Sequence, residues 1–339
     1  MSAKNHIVVT GGAGYVGSHV VVELLKEGYH VIVIDRLDNS KIEALKQVEV
    51  ITGKPVQAHN VDITDKESLN LIFQENNVSC VIHLAAKKSH KLSIQSPLNY
   101  YKNNVVGLVT LLEVMKNHGV YRMIYASSVA VYGHPNHLPI DEQHTAGDVN
   151  DPYSRTKYFC EEVLKDLCIA EEDWSIITLR LFNPVGAHKS GLIGEIMTDN
   201  PPNLMPNIAK TALGKQDHFI IYGDKYKTID GTGERDYTHV VDIAKGHIAA
   251  LKKIEAINGY KVFNLGTGSP CSALNMVREF EKASGKTIPI AFKEPRSYDT
   301  PTSYADISLA RKELEWNVGL NITDVCTDAW RWYTNNNQK

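Results

Sequence analysis

Short aliphatic and β-branched runs alternate with amphipathic stretches through the first half of the chain. His6 to Thr10 (HIVVT) predicts a strand. Glycines follow, and then Val16, Val20, Val21, Leu24 and Leu25 recur at three- and four-residue spacing. That pattern predicts a helix from about Gly14 to Lys26 with one buried stripe, stopped by Gly28. Further strands are expected at His30 to Asp35, Val56 to Val61, Cys80 to Ala85, Arg122 to Ser127 and Ser175 to Leu181. Helices are expected over Tyr100 to Lys116, with Leu108, Leu111, Leu112 and Met115 on the apolar side, and from about Tyr153 to Ile169. Strands that are apolar throughout, alternating with helices, predict an α/β protein with a doubly wound parallel sheet covered on both faces. The ligand of such a sheet sits beyond the carboxyl ends of its strands, where Gly11, Asp35, Ser127 and Ser128 fall.

After about Asn183 proline and glycine become frequent (Pro184, Gly186, Gly191, Gly194, Pro201, Pro202, Pro206) and the alternation lapses. A smaller α/β substrate domain is expected on this C-terminal side. The large domain is expected over residues 1–182, the chain returning to it at about 238–266 through a helix (Val240 to Lys252) and a strand (Lys261 to Leu265). Residues 183–237 and 267–339 then form the smaller domain. Trp316, Trp330 and Trp332 read as packing residues, and there is no repeat, coiled coil or low-complexity tract.

Composition narrows the function classes. Of 339 residues 43% are hydrophobic, enough for a sizeable core, and 36 basic against 39 acidic residues give a net charge of -3. No stretch concentrates Lys and Arg, which argues against a nucleic-acid partner. The cluster Lys87-Lys88-Ser89-His90-Lys91 is short enough to be a solvated loop, though a few of its side chains could reach a ligand. Five cysteines, an odd number without any C-x-x-C, fit free thiols in a reducing compartment. No apolar h-region precedes the first strand and no apolar run reaches 18 residues, so neither a signal peptide nor a membrane span is expected and the location is read as cytoplasmic. No metal site is expected.

Two motifs carry chemistry. Gly12-Ala13-Gly14-Tyr15-Val16-Gly17 satisfies G-x-G-x-x-G between a strand and a helix, and Gly11, Gly14 and Gly17 share a second three-residue spacing. Missing side chains permit a tight turn and close approach of a pyrophosphate to the helix N-terminus. Asp35, at the end of the second strand, suits the adenosine ribose hydroxyls and repels a 2′-phosphate, which favours NAD over NADP even with Arg36 beside it. The sheet is thus expected to be of Rossmann type. Asp62 and Ile63, after the third strand, suit the adenine edge, although Asp62 could equally cap a helix. The second motif is Tyr153 and Lys157, four apart and so on one helix face, with Ser128 at a strand end. A free tyrosine, pKa near 10, is a poor base at neutral pH, and a lowering of roughly 3 units needs about 4 kcal/mol. A nearby lysine ammonium and the positive ring of an oxidised nicotinamide favour the phenolate, and Ser128 can relay the substrate hydroxyl proton.

These motifs resemble the extended short-chain dehydrogenase/reductase family, and within it the nucleotide-sugar epimerases, over nearly the whole chain. The specific segments are Val9–His19 (VTGGAGYVGSH), Asn103–Gly107 (NNVVG), Ser127–Gly133 (SSVAVYG), Pro152–Lys157 (PYSRTK), Phe182–His188 (FNPVGAH), Pro202–Pro206 (PNLMP) and Asp230–Asp242 (DGTGERDYTHVVD). The resemblance implies a tightly held NAD regenerated in each turnover, and inversion of C4 of a UDP-hexose through a 4-keto sugar that presents its other face. Ser128, Tyr153 and Lys157 would be catalytic. Gly11, Gly14, Tyr15, Val16, Gly17, Asp35, Asn39, Asp62, Ile63, Leu84, Ala85, Ala86, Lys88, Asn103, Ser127 and Phe182 would line the NAD site together with Tyr153 and Lys157. Asn183, Asn203, Leu204, Tyr222, Arg235, Tyr237, Arg296, Asp299 and Ser303 would join Ser128 in the UDP-sugar site, where guanidinium forks suit a pyrophosphate.

The chain departs from that pattern in places. Leu181 replaces the usual tyrosine before Phe-Asn, Ser89–Ser93 (SHKLS, including Leu92) replaces an Ala-Val-Gly-Glu-Ser-like stretch, and Pro295–Asp299, including Tyr298, replaces Arg-Arg-Glu-Gly-Asp. These changes bear on sugar preference, and the small Ser303 suggests room for an N-acetyl group, hence UDP-GalNAc/UDP-GlcNAc as further substrates. Two rivals are a dehydratase or decarboxylase, disfavoured because Val129-Ala130 stands where acid–base residues are needed, and a non-catalytic NAD-binding sensor or scaffold. The resemblance also implies a homodimer through the helices beginning near Tyr100 and Tyr153, to which Leu108, Leu112, Phe159 and Val163 could supply contacts, although core packing explains them equally well.

Overall fold

The structure, a computed structural model, describes residues 6–37, 42–198, 203–296 and 299–337. Strands β1 (His6–Thr10), β2 (His30–Asp35), β3 (Gln57–Asn60), β4 (Val78–His83), β5 (Arg122–Ser128) and β6 (Ser175–Leu181) join the later strand Gly259–Leu265 in one seven-stranded sheet. Every pairing in it is parallel, and its order runs from Gly259–Leu265 through β6, β5, β4, β1 and β2 to β3. This is the Rossmann-type α/β fold expected. The chain winds outward from β1 to β3 and then restarts on the far side of β1 at β4, so a crevice opens at the carboxyl ends of β1 and β4.

Helices α1 (Tyr15–Lys26), α2 (Ile42–Thr52), α3 (Lys66–Glu75), α4 (His90–Gln95), α5 (Pro97–Tyr100), α6 (Gly107–Asn117) and α7 (Pro152–Ala170) connect these strands. Successive strand residues feed opposite faces: Val8, Ile32, Val81, Met123 and Ile176 join one buried cluster, while Val9, Val33, Ile82, Ile124 and Ile177 join the other. Both faces are covered, which is why these runs are continuously apolar. A third cluster is built from the helices Leu204–Ala212, Ala273–Ser284 and Ile322–Asn337 with the parallel pair Phe219–Tyr222 and Ile290–Lys293. Trp316 is buried in the first cluster, and Trp330 and Trp332 pack on the third.

Two elements differ from expectation. The single helix expected over Tyr100 to Lys116 is α5, a π-helical turn at Tyr101–Val106, and then α6. Asn104 is buried there, with its Oδ1 accepting from Lys87 N (2.9 Å) and its Nδ2 donating to Lys87 O (3.1 Å) and Thr156 Oγ1 (2.9 Å). A π turn widens the helix and is common at functional sites. The fourth strand lies two residues earlier than predicted, which frees Leu84, Ala85 and Ala86 to border the crevice.

Candidate active site

The glycine turn closes on its own backbone. A Cβ on Gly17 would lie 2.1 Å from Gly11 O, and one on Gly11, whose φ is +72°, would meet Ala85 N at 2.7 Å. A Cβ on Gly14 would meet one atom within 4 Å, Gly11 O at 3.2 Å. Internal packing therefore asks little of Gly14, which fits a pyrophosphate drawn close to the N-terminus of α1. Asp35 braces the turn, accepting from Ala13 N (3.0 Å) and Leu37 N (2.9 Å). Arg36 pairs with Asp62, Nη1 to Oδ2 at 2.7 Å.

The other expected cofactor residues fall into place unevenly. Leu84 N donates to Thr10 O (3.1 Å) and Ala85 N to Thr10 Oγ1 (3.4 Å), which sets residues 84–86 beside Gly11. Tyr15 donates to Gly186 O (2.7 Å), and Lys88 lies over its ring at 5.6 Å and pairs with Glu195 at 3.2 Å. Val16 packs on the first core cluster. Asn103 donates to Asn104 Oδ1 at 3.0 Å, within the π turn. Asp62 also accepts from Thr64 N (2.8 Å), and the cap of α3 is Asp65. Ile63 packs against Gly107. Phe182 is wholly buried and can only back the site. The Ser127 hydroxyl turns inward to Glu161 (2.6 Å), because successive residues of β5 face opposite ways. Asn39 and Tyr298 lie outside the described residues.

Ser128, Tyr153 and Lys157 converge at the carboxyl end of β5. Ser128 starts a 3₁₀ turn, its hydroxyl accepting from Ala130 N (3.2 Å), and lies close enough to Tyr153 to act on its phenol. Asp151 caps α7, Pro152 occupies its first turn, and Tyr153 and Lys157 follow on its buried face. Burial pushes the Tyr153 phenol up to about 12; Ser128 opposes this, while Asp151 and Tyr100 add to it. Burial pulls the Lys157 ammonium down to about 8, opposed by the charges of Cys160 and Glu161. Lys157 Nζ donates to Ala126 O (2.6 Å) and sits 4.8 Å above the Tyr125 ring.

The expected UDP residues have their partners in the C-terminal part of the chain. Arg235 and Ser303 pair in register on two short strands, and Arg235 Nη1 donates to Glu234 O (2.8 Å). Arg296 forks onto Asp299 with two bonds of 2.9 Å and stacks over Tyr222 at 4.8 Å. Asn183 donates to Asp236 O (3.1 Å), and Asn203 donates to Glu195. Leu204 packs on the third cluster with Tyr237, whose phenol burial raises. Sequence reasoning missed Asn104 and Glu195. The paired asparagines Asn103-Asn104 in an amphipathic helix were the signal for the first; nothing local marks the second. A cavity of about 360 Å³ lined by Ile7, Cys80 and Arg122 lies at the opposite, amino end of the sheet, away from this chemistry.

Fold and site together define a dinucleotide-dependent α/β enzyme. More narrowly, the chain belongs to the NAD dependent epimerase/dehydratase family, whose model matches residues 7–266. It is 48% identical over 338 residues to the UDP-glucose 4-epimerase of Drosophila melanogaster and 46% identical over 336 to that of Homo sapiens, covering 97% of each chain in both comparisons. A solved UDP-glucose 4-epimerase of Bifidobacterium longum, in complex with NAD+ and UDP, superposes with a TM-score of 0.94 at 45% identity, covering 98% of this chain and 99% of that one.

Proposed function

We propose that this chain inverts C4 of a UDP-hexose, interconverting UDP-galactose and UDP-glucose with bound NAD. The observation that carries the reading is that Ser128, at the carboxyl end of β5, and the buried Tyr153 of α7 come together on the same edge of the sheet as the glycine turn. Bound NAD would supply the hydride acceptor for C4 in its oxidised form and the hydride donor in its reduced form, and the oxidised ring would bring a positive charge that favours the Tyr153 phenolate. Tyr153, so ionised, takes the proton of the sugar 4-hydroxyl, and Ser128 orients that hydroxyl. The same phenol gives the proton back once the 4-keto sugar has turned. Lys157 anchors α7 to β5 and keeps a cation beneath the site.

Turning requires a loose grip on the sugar and a firm one on the nucleotide, so binding energy is concentrated away from C4. Arg235, Arg296 and Asp299 are placed in the nucleotide site in this reading, since guanidinium forks match pyrophosphate oxygens and a carboxylate matches ribose hydroxyls. Asn183, Asn203, Leu204, Tyr222 and Tyr237 complete it, and Ser303 leaves room for an N-acetyl group. Residues 1–182 with 238–266 then hold NAD, and the remainder holds the UDP-sugar. The reading also takes the protein as a homodimer in the cytoplasm; all five cysteines are free, and among the described residues no helix is long and apolar enough to cross a membrane.

The test is to incubate the purified protein with UDP-galactose or UDP-GalNAc, adding no reductant, and to resolve the products. UDP-glucose and UDP-GlcNAc are expected, and Tyr153→Phe should lower turnover by about 10³-fold with unchanged circular dichroism. No UDP-glucose from the unaltered protein would overturn the reading in favour of a binding scaffold; product from UDP-galactose alone would remove the N-acetyl sugars.

A further inference from the structure

The departure at Ser89–Ser93 puts a histidine beside the reacting phenol. Ser89 caps α4, its hydroxyl accepting from Leu92 N (3.3 Å), and Ser93 Oγ donates back to His90 O (2.6 Å), which holds the first turn. His90 Nδ1 then lies 2.9 Å from Asp151 Oδ2. Its ring meets the Tyr153 ring edge-on, with centroids 4.9 Å apart and planes at 80°. Asp151 is already committed to α7: Oδ1 accepts from Ser154 N (3.0 Å) and Oδ2 from Ser154 Oγ (2.6 Å). One carboxylate thus joins the cap of the catalytic helix to an imidazole that touches the catalytic ring. The Tyr153 ring thus has His90 against its edge and Ser128 near its phenol.

Charge gives the contact a second consequence. Asp151 acts on Tyr153 to disfavour the phenolate, as Tyr100 does. The hydrogen bond and charge of His90 help hold the Asp151 carboxyl down at about 2, so it is ionised at any working pH. A protonated imidazole hydrogen-bonded to Asp151 would offset that carboxylate's effect on the phenol. The titratable groups facing His90 are Asp151 and Tyr153 from α7 and Tyr100 from α5, whose hydroxyl accepts from Ser89 N (3.1 Å); Lys91 follows it on α4.

We propose that His90 is a positioning residue for the catalytic phenol: it fixes the Tyr153 ring through Asp151 and, when charged, offsets that carboxylate so that the phenol ionises more readily. The inference rests on the epimerase reading above. An apolar residue at this place, as the resembling stretch carries, could do neither.

The experiment uses NAD-loaded protein, with kcat and KM for UDP-galactose measured across pH and the Tyr153 phenol titrated by ¹³Cζ-tyrosine NMR, its resonance assigned with Tyr153→Phe. His90→Val should lower kcat about tenfold at neutral pH through the misplaced ring. KM should stay within about twofold, since binding energy lies in the nucleotide. The acid limb of the kcat profile and the Tyr153 titration should both move to higher pH. His90→Gln keeps a hydrogen bond to Asp151 without the charge, so its alkaline kcat should match the unaltered enzyme while its acid limb moves as in His90→Val. In an Asp151→Asn background, His90→Val should move the limb no further. An unmoved limb and an unmoved titration in both His90 variants would overturn the proposal. No turnover by the unaltered protein would instead sink the epimerase reading, and the NMR titration would still decide the role of His90.

Discussion

Gly14 and Gly17 look alike in the motif yet answer to different forces. The Cβ of Gly17→Ala would press on Gly11 O and Gly12 Cα, backbone atoms that cannot swing aside. That variant should lose about 2 kcal/mol or more of stability, seen as a lowered thermal midpoint. Gly14→Ala meets one backbone oxygen at 3.2 Å and should keep its midpoint to within a few degrees. Its loss should appear in NAD affinity, measured by calorimetry, because the added methyl enters the space of the pyrophosphate. Equal losses of stability in both variants would mean that Gly14 serves packing, and the dinucleotide reading of the turn would lose its physical basis.

At the scale of elements, α7 carries the chemistry and is pinned at several places. Asp151 caps it, Lys157 ties its second turn to β5, and Glu161 receives Ser127 (2.6 Å) and a two-pronged Arg180 (3.1 and 2.6 Å) in the core. Those bonds explain how a buried acid is tolerated beneath the catalytic end of the sheet. Asp151→Ala should cost about 1 kcal/mol at neutral pH, as loss of a helix cap does. The sign of its pH dependence follows from the folded carboxyl lying at about 2, below the ordinary 3.8. Its contribution is complete above the ordinary value and is lost as pH falls toward 2. Urea titrations of the two proteins should therefore converge as pH falls from about 5 to about 2; a gap that does not narrow over that range would contradict the charge-based cap.

For the whole molecule, the exposed apolar side chains bear on the proposed dimer. Leu108 and Leu112, expected at the contact, are buried in the core of the protomer, and Val163 packs against that core. The helical face toward the sheet takes them, and periodicity alone cannot tell a core stripe from an interface stripe. Leu98 (82% exposed), Val106 (49%) and Phe159 (42%) stand out instead, on neighbouring elements, with the Phe159 ring 6.1 Å from that of Tyr101. Light scattering should give twice the mass of one chain, and Leu98→Glu with Phe159→Glu should reduce it to that of one chain. A monomer at micromolar concentration for the unaltered protein would end the proposal.

Much of this was legible along the chain because it is local. Continuous apolar strands, a glycine turn opening a helix and an i, i+4 tyrosine–lysine pair each express their physics within a dozen residues, and with them came the doubly wound sheet, the dinucleotide turn and the catalytic helix. What the chain could not express alone are choices between partners distant in sequence. Lys157 bonds the carbonyl of Ala126, Ser127 bonds Glu161, Asn104 bonds Lys87 and Thr156 from within a π turn, and His90 rests on the edge of Tyr153. Buried polar groups must find partners wherever folding brings them, and side-chain spacing carries no record of who those partners are. The sequence by itself determined the class of chemistry; the packing of α4 and α7 on the sheet decided which charges the reacting phenol meets.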